Sequence, residues 1–243
     1  MAQIFPRWSN QTPTQAMIGT LALGGFVTFA LYWWASPYNT DVGYKPVQPV
    51  AYSHALHAGT LQLDCRYCHA YVERGPFAGV PPTQVCMNCH SQVKKGSDKL
   101  GQIYASWSEG KGTQGVPWKR IHKLPDFVYF NHSAHMGVGV APNRAAIGCE
   151  TCHGRIDTME VVREVAPLSM SWCLDCHSNP APNLRPVENI TAMGWKGDLA
   201  WNDKAEVIAL TLNPPGSLSG AQKQRPDGHY DTYATAGCSG CHR

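Results

Sequence analysis

Ten cysteines and eleven histidines carry the chemistry of this 243-residue chain. The cysteines fall in five pairs, each pair spaced by two residues and followed at once by histidine. The five motifs are Cys65, Cys68 and His69; Cys86, Cys89 and His90; Cys149, Cys152 and His153; Cys173, Cys176 and His177; and Cys238, Cys241 and His242. Two thiols one helical turn apart meet the two vinyl groups of a porphyrin. The next residue then turns its imidazole under the iron, so C-x-x-C-H is an attachment motif for c-type haem. Zinc sites also use C-x-x-C pairs, but they do not need histidine at the next position five times over. Thioredoxin-like redox pairs occur singly, beside a βαβ pattern that is absent here. The expected cofactors are therefore five haem c, bound through all ten cysteines, with the five motif histidines on the irons. No thiol remains for a disulfide.

Six histidines lie outside the motifs: His54, His57, His122, His132, His135 and His229. Four of them form two H-x-x-H pairs, His54 with His57 and His132 with His135. Positions i and i+3 share a helix face, so each pair can serve two neighbouring irons as distal ligands. A zinc-binding pair or a surface turn is the competing reading. His122 is expected to serve the fifth iron, with His229 and Met170 as alternatives.

These residues need elements that hold them. His54 and His57 precede Cys65 and Cys86; His132 and His135 precede Cys149 and Cys173. First cysteines are 21 residues apart in one unit and 24 in the other, and both units end in C-H-S, at Ser91 and Ser178. The chain reads as two copies of a two-haem unit, about 50–95 and 128–180, plus a C-terminal haem at 229–243. So many haems in so short a chain leave little room for a conventional core. The expected fold is mostly α with much irregular loop, a multihaem cytochrome c packed around its porphyrins. The spacing of Leu100, Ile103, Tyr104 and Trp107 suggests a helix over 98–107, explained by packing. No stretch alternates long enough to suggest a sheet.

Met17 to Ala35 is a run of 19 residues without a charge, closed by Tyr32, Trp33 and Trp34 and followed by Pro37. As a helix it covers about 28 Å, close to the hydrocarbon thickness of a bilayer. A cleaved signal peptide would be shorter and would carry an A-x-A site, which does not follow. An uncleaved single-pass anchor is expected: 1–16 cytoplasmic, 17–36 transmembrane, 37–243 periplasmic. Haem attachment outside the cytoplasmic membrane sets that orientation, because the flanking charges do not. Ala16, Thr20, Gly24 and Thr28 form a small-residue stripe that lets a partner helix approach. The net charge of +3 is too weak for nucleic acid. Ten haem propionates turn it to −7, so many lysines and arginines are expected to pair with propionates.

The block Trp118 to Gly137, WKRIHKLPDFVYFNHSAHMG, followed by CETCH and PLSMSWCLDCH, resembles the pentahaem membrane-anchored subunit of alternative complex III. The resemblance implies an electron relay in a quinol-oxidising complex of the respiratory or photosynthetic chain, leading to a downstream carrier or oxidase. It implies as partners an iron–sulfur subunit, integral membrane quinol-binding subunits and a monohaem cytochrome. No catalytic residue is expected on this chain. A multihaem reductase would need an open iron, and six spare histidines argue against one. A small membrane-anchored quinol dehydrogenase would place its first haem at the membrane edge, whereas a long spacer separates Pro37 from Cys65. A reaction-centre cytochrome would draw distal methionines from helices before each motif, where histidines stand here. Residues 183–237 carry no haem motif and do not match the family.

Overall fold

The computed structural model describes residues 4–36, 40–107, 114–136, 145–212, 223–224, 230–231 and 238–242; between 209 and 237 it describes backbone alone. His229 and Arg243 lie outside the described residues. Two compact units emerge, Met1–Val42 and Gly43–Arg243.

The first unit is a 3-10 turn, Arg7–Gln11, running into helix α1, Thr12–Ala35. The helix begins before the apolar run because Pro13 sits in its first turn, where a missing N–H costs nothing. Its 24 residues span about 36 Å, more than a bilayer core requires. By length and composition it can cross a membrane. Ser36 ends it in an extended conformation, the one favoured before proline, and its hydroxyl donates to the Trp33 carbonyl at 2.6 Å. Within the stripe, Thr28 Oγ1 donates to the Gly24 carbonyl at 2.8 Å.

The second unit is short helices joined by turns. In chain order these are α2 (Cys65–Cys68), α3 (Thr83–His90), α4 (Gly101–Trp107), α5 (His132–His135), α6 (Cys149–His153), α7 (Met170–Ser178), α8 (Leu199–Leu212) and α9 (Cys238–Cys241). A π-helical turn, Ala55–Thr60, follows His54. Each cysteine pair thus sits on its own helix, about one turn long in α2, α6 and α9. The expected helix over 98–107 is a 3-10 turn, Asp98–Leu100, leading into α4, where Ile103 is buried. There is also sheet that the sequence did not suggest: β1 (Ala145–Ile147) pairs antiparallel with β2 (Leu184–Pro186), and β3 (Lys223–Gln224) with β4 (Tyr230–Asp231). Strands of two or three residues are too short to show a period of two.

Two small apolar clusters meet at the β1–β2 ladder. Ala145, Leu184, Ala205 and Ile208 form one; Val72, Met136, Ala146 and Ile190 form the other. Helix α8, absent from the expectations, starts where Asp198 accepts the Trp201 N–H at 2.8 Å, and it buries Ala205 and Ile208.

A buried ion pair locks this ladder to the third motif. Arg185 in β2 donates to Glu150 Oε1 at 2.8 Å and to the Ala192 carbonyl at 3.0 Å. Glu150 accepts the Gly194 N–H at 2.6 Å with its other oxygen, and the guanidinium lies 5.3 Å from the Trp195 ring centroid. A Cβ at Gly148 would collide with the Arg185 side chain. Removing one partner strands the other charge in the interior, so Arg185→Met is expected to cost about 3 kcal/mol. A thermal melt of the loaded chain checks this: a markedly lower midpoint with haem content unchanged is expected.

The two repeats grip each other reciprocally. The N–H after the first histidine of one pair, Ala55, donates to the Met159 carbonyl at 3.0 Å. Its counterpart Ser133 donates to the Gly75 carbonyl at 3.2 Å. Each H-x-x-H segment therefore rests on the loop behind the other unit's first motif. At the first of these contacts Gly59 meets the Asp157 carbonyl so closely that no side chain fits.

Candidate haem sites

Local capping places the motif helices. Asp64 caps α2 by accepting the Arg66 N–H at 2.8 Å, and the Arg66 guanidinium beside it holds the Asp64 carboxyl down at about 2. Ser169 caps α7 through the Trp172 N–H, and Asn131 caps α5 through the Ser133 N–H. Gly154, at φ +65°, ends α6 directly after His153 in a conformation that glycine adopts freely.

The histidines share a hydrogen-bond habit. His69 Nδ1 lies 2.6 Å from the Gly79 carbonyl, and His90 Nδ1 3.0 Å from Val93 O. His57 Nδ1 lies 2.8 Å from Ser53 O, His132 Nδ1 2.7 Å from Pro76 O, and His135 Nδ1 2.9 Å from Asn131 O. A carbonyl only accepts, so each Nδ1 donates there, which leaves Nε2 as the nitrogen available to a metal. This is how second-shell carbonyls prepare a histidine to bind metal. Gly79 presents its carbonyl from φ +78°, packed against the Tyr71 ring. His54 differs, since its Nδ1 is buried without a partner.

Three histidine pairs have ring centroids at closely similar separations. Centroids are 6.2 Å apart for His57 and His90, 6.4 Å for His132 and His153, and 6.1 Å for His135 and His177. An iron bonded to two imidazole nitrogens at about 2.0 Å sets the ring centres roughly 6 Å apart, so the three pairs fit one. His54 faces the first motif: burial first, then His69 and His57, push it down to about 4. Burial, then His122 and His132, push His153 down to about 3, and burial lowers His135. These imidazoles are neutral at pH 7, the state in which they donate to a metal.

His122, expected at the fifth iron, lies against the third motif. Its Nε2 is 3.2 Å from His153 Nδ1, and the rings meet edge-on at 4.3 Å, too close for an iron between them. The fifth motif is tied instead to the preceding block: Val128 bridges His242, the Tyr129 N–H donates to the Cys241 carbonyl at 2.7 Å, and Phe127 stacks on the His242 ring at 5.7 Å. Met170, at the start of α7, is exposed.

Two aromatic residues were not singled out in the sequence. Tyr52 stacks on His57 at 4.4 Å and meets His54 edge-on; Phe130 stacks on His135 at 4.8 Å and meets His132 edge-on. Each stands two residues before its H-x-x-H pair. That shared offset was the available signal. Burial pushes the Tyr52 hydroxyl up, so it stays neutral.

Five C-x-x-C-H motifs and histidine pairs at iron-spanning separations mark candidate c-type haem sites on a chain that is mostly helical with irregular loops and one N-terminal apolar helix. Over 132 residues the chain is 32% identical to the multiheme cytochrome c subunit of menaquinone reductase from Nitratidesulfovibrio vulgaris. That match covers 54% of this chain and 56% of the relative, so the chain spans about half the length of the protein it matches. No family model matches the chain.

Proposed function

We propose that this chain is a membrane-anchored relay of five c-type haems that conducts electrons for a quinone-linked membrane complex. The observation that carries the reading is the set of three histidine pairs 6.1–6.4 Å apart, each joining one motif histidine to one from outside the motifs. His54 takes the same role toward His69. The haems would be held by Cys65, Cys68, Cys86, Cys89, Cys149, Cys152, Cys173, Cys176, Cys238 and Cys241. The haem, when bound, supplies reversible one-electron chemistry at iron. The chain's part is to fix Nδ1–H on backbone carbonyls, present neutral Nε2 atoms, exclude water around His153 and stack Tyr52 and Phe130 on the ligand rings.

The distal ligand of the fifth iron lies among His122, His229 and Met170. His122→Ala decides it. Loss of one low-spin signal makes His122 that ligand, while five intact signals leave it as the hydrogen-bond partner of His153.

The complex is of the alternative complex III kind, with an iron–sulfur subunit, integral quinol-binding subunits and a monohaem cytochrome as partners. Helix α1 is its anchor in the inner membrane, and the haem unit lies on the periplasmic side. The resemblance over Trp118 to Gly137 supports this reading. A second reading is favoured by the relative, whose name makes it a subunit of a menaquinone reductase. The same relay then runs toward quinone rather than away from it. In either case we assign the quinone site to other subunits: helix α1 carries no charged residue, and Arg7 lies ahead of it. The purified chain alone is expected not to oxidise a quinol analogue. Steady quinol-dependent haem reduction by the isolated chain would move the quinone site here.

A further inference from the structure

The histidine pairs say which side chains face each other within one site. A separate set of contacts says which sites are neighbours. Between the first and second motifs, Asn88 Nδ2 donates to the Tyr67 hydroxyl at 3.0 Å, each residue lying between the two cysteines of its motif. Between the first and third, residues 190 and 191 hold both helix starts: the Cys149 N–H donates to the Ile190 carbonyl at 3.0 Å, and Thr191 Oγ1 donates to Asp64 Oδ2 at 2.9 Å. Between the third and fourth, a cavity of about 280 Å³ is lined by Thr151 on one side and Trp172, Asp175 and Cys176 on the other. Between the fourth and fifth, residues 128 and 129 bind His242 and Cys241, while the adjoining Phe130 stacks on His135, which faces His177. Among the described residues no hydrogen bond joins the second motif to the third.

The reciprocal grip of the repeats explains why the order departs from the sequence. Each unit rests its histidine pair on the loop behind the other's first motif, so the units meet head to head. First motifs are then innermost, second motifs point away from each other, and the C-terminal motif extends one end. Exposure agrees independently. Cys89 and Cys238 are exposed, and the other eight cysteines are partly covered.

We infer that the five attachment sites run in space in the order second, first, third, fourth, fifth, so that the second and fifth motifs are the two ends at which the chain exchanges electrons with other proteins. The inference rests on the relay reading above. Each exchange is a single outer-sphere electron, lost by a one-electron carrier and gained at a terminal iron, or the reverse, with no bond formed or broken.

The test injects electrons at one end. Lys95 is exposed and lies five residues past His90, so Lys95→Cys in the haem-loaded full chain carries a ruthenium photoreductant beside the second motif. In that chain, flashes are expected to reduce all five haems. With Cys65→Ala and Cys68→Ala added, the first site is lost and reduction is expected to stop at one haem. If four haems are still reduced, the second motif adjoins the third and the order is overturned. If the chain with all five haems passes no electron beyond the first reduced haem, the relay reading itself fails. Should the double variant not assemble, iron-edge anomalous diffraction from the unaltered loaded chain gives the order directly. The first motif's iron between those of the second and third is expected, and the second's between the first and third overturns the inference.

Discussion

Replacing both cysteines of the third motif, Cys149→Ala with Cys152→Ala, is expected to remove one haem and to destabilise the chain far more than Cys238→Ala with Cys241→Ala. The third motif is where the protein part of the fold converges. Cys149 gives its N–H to Ile190, Glu150 pairs with the buried Arg185, and Gly154 terminates the helix. Burial pushes His153 down to about 3 and the Cys152 thiol up to about 12. The fifth motif is held through backbone contacts to Val128 and Tyr129, and Cys238 is exposed. An emptied porphyrin site at the centre leaves a cavity lined by several units, and cavity formation is among the largest causes of destabilisation. Haem per chain and the unfolding midpoint, measured on both double variants, check this. Equal midpoints would mean that the third motif is no more central than the fifth.

Acidification is expected to dismantle the ligand set. His153 and His54 have folded-state values near 3 and 4, both below the ordinary histidine value of 6.5. The unfolded chain therefore binds more protons in the window between those values. Stability contributed by these neutral imidazoles is complete above about pH 6.5 and is lost as pH falls toward 4 and then 3. Iron competes with the same protons for Nε2, so ligation shifts the loss in the same direction. An acid titration of the oxidised protein, following the low-spin absorption and the far-ultraviolet signal together, is the check. The low-spin spectrum should be stable from pH 8 to about 6.5 and collapse progressively below that. A fold unchanged at pH 3 would show that these imidazoles do not sit buried and neutral in the folded chain.

The C-x-x-C-H and H-x-x-H patterns were legible in the amino acids, because they are local. The repeat of H-x-x-H and two motifs was likewise visible, since duplication preserves spacing. The arrangement of the copies was not. That depends on Ala55 reaching Met159 and Ser133 reaching Gly75, contacts between backbone atoms that leave no residue-type signature. His122 illustrates the same limit. Counting ligands makes it a candidate for the fifth iron, while its place beside His153 is set by the path of the chain and has no signature in the sequence. Helix α8 did have a signal, Asp198 as cap with Trp201, Ala205 and Ile208 at helical spacing. It went unread because the segment carries no haem motif. The β1–β2 ladder is too short for any periodicity, and its stability comes from Arg185 and the clusters on either side.

The measurement that bears most directly on a five-haem relay is the haem content and spin state of the intact chain, with carbon monoxide as probe. The haem-to-chain ratio, the electron paramagnetic resonance spectrum of the oxidised form and the carbon monoxide difference spectrum of the reduced form are recorded on one preparation. Five covalently attached haems are expected, all low-spin, with no carbon monoxide complex, because imidazoles face the motif histidines and spare ligands remain for the fifth iron. Fewer than five haems, or a substantial high-spin fraction that binds carbon monoxide under native conditions, would contradict the relay and favour a haem enzyme with an open iron.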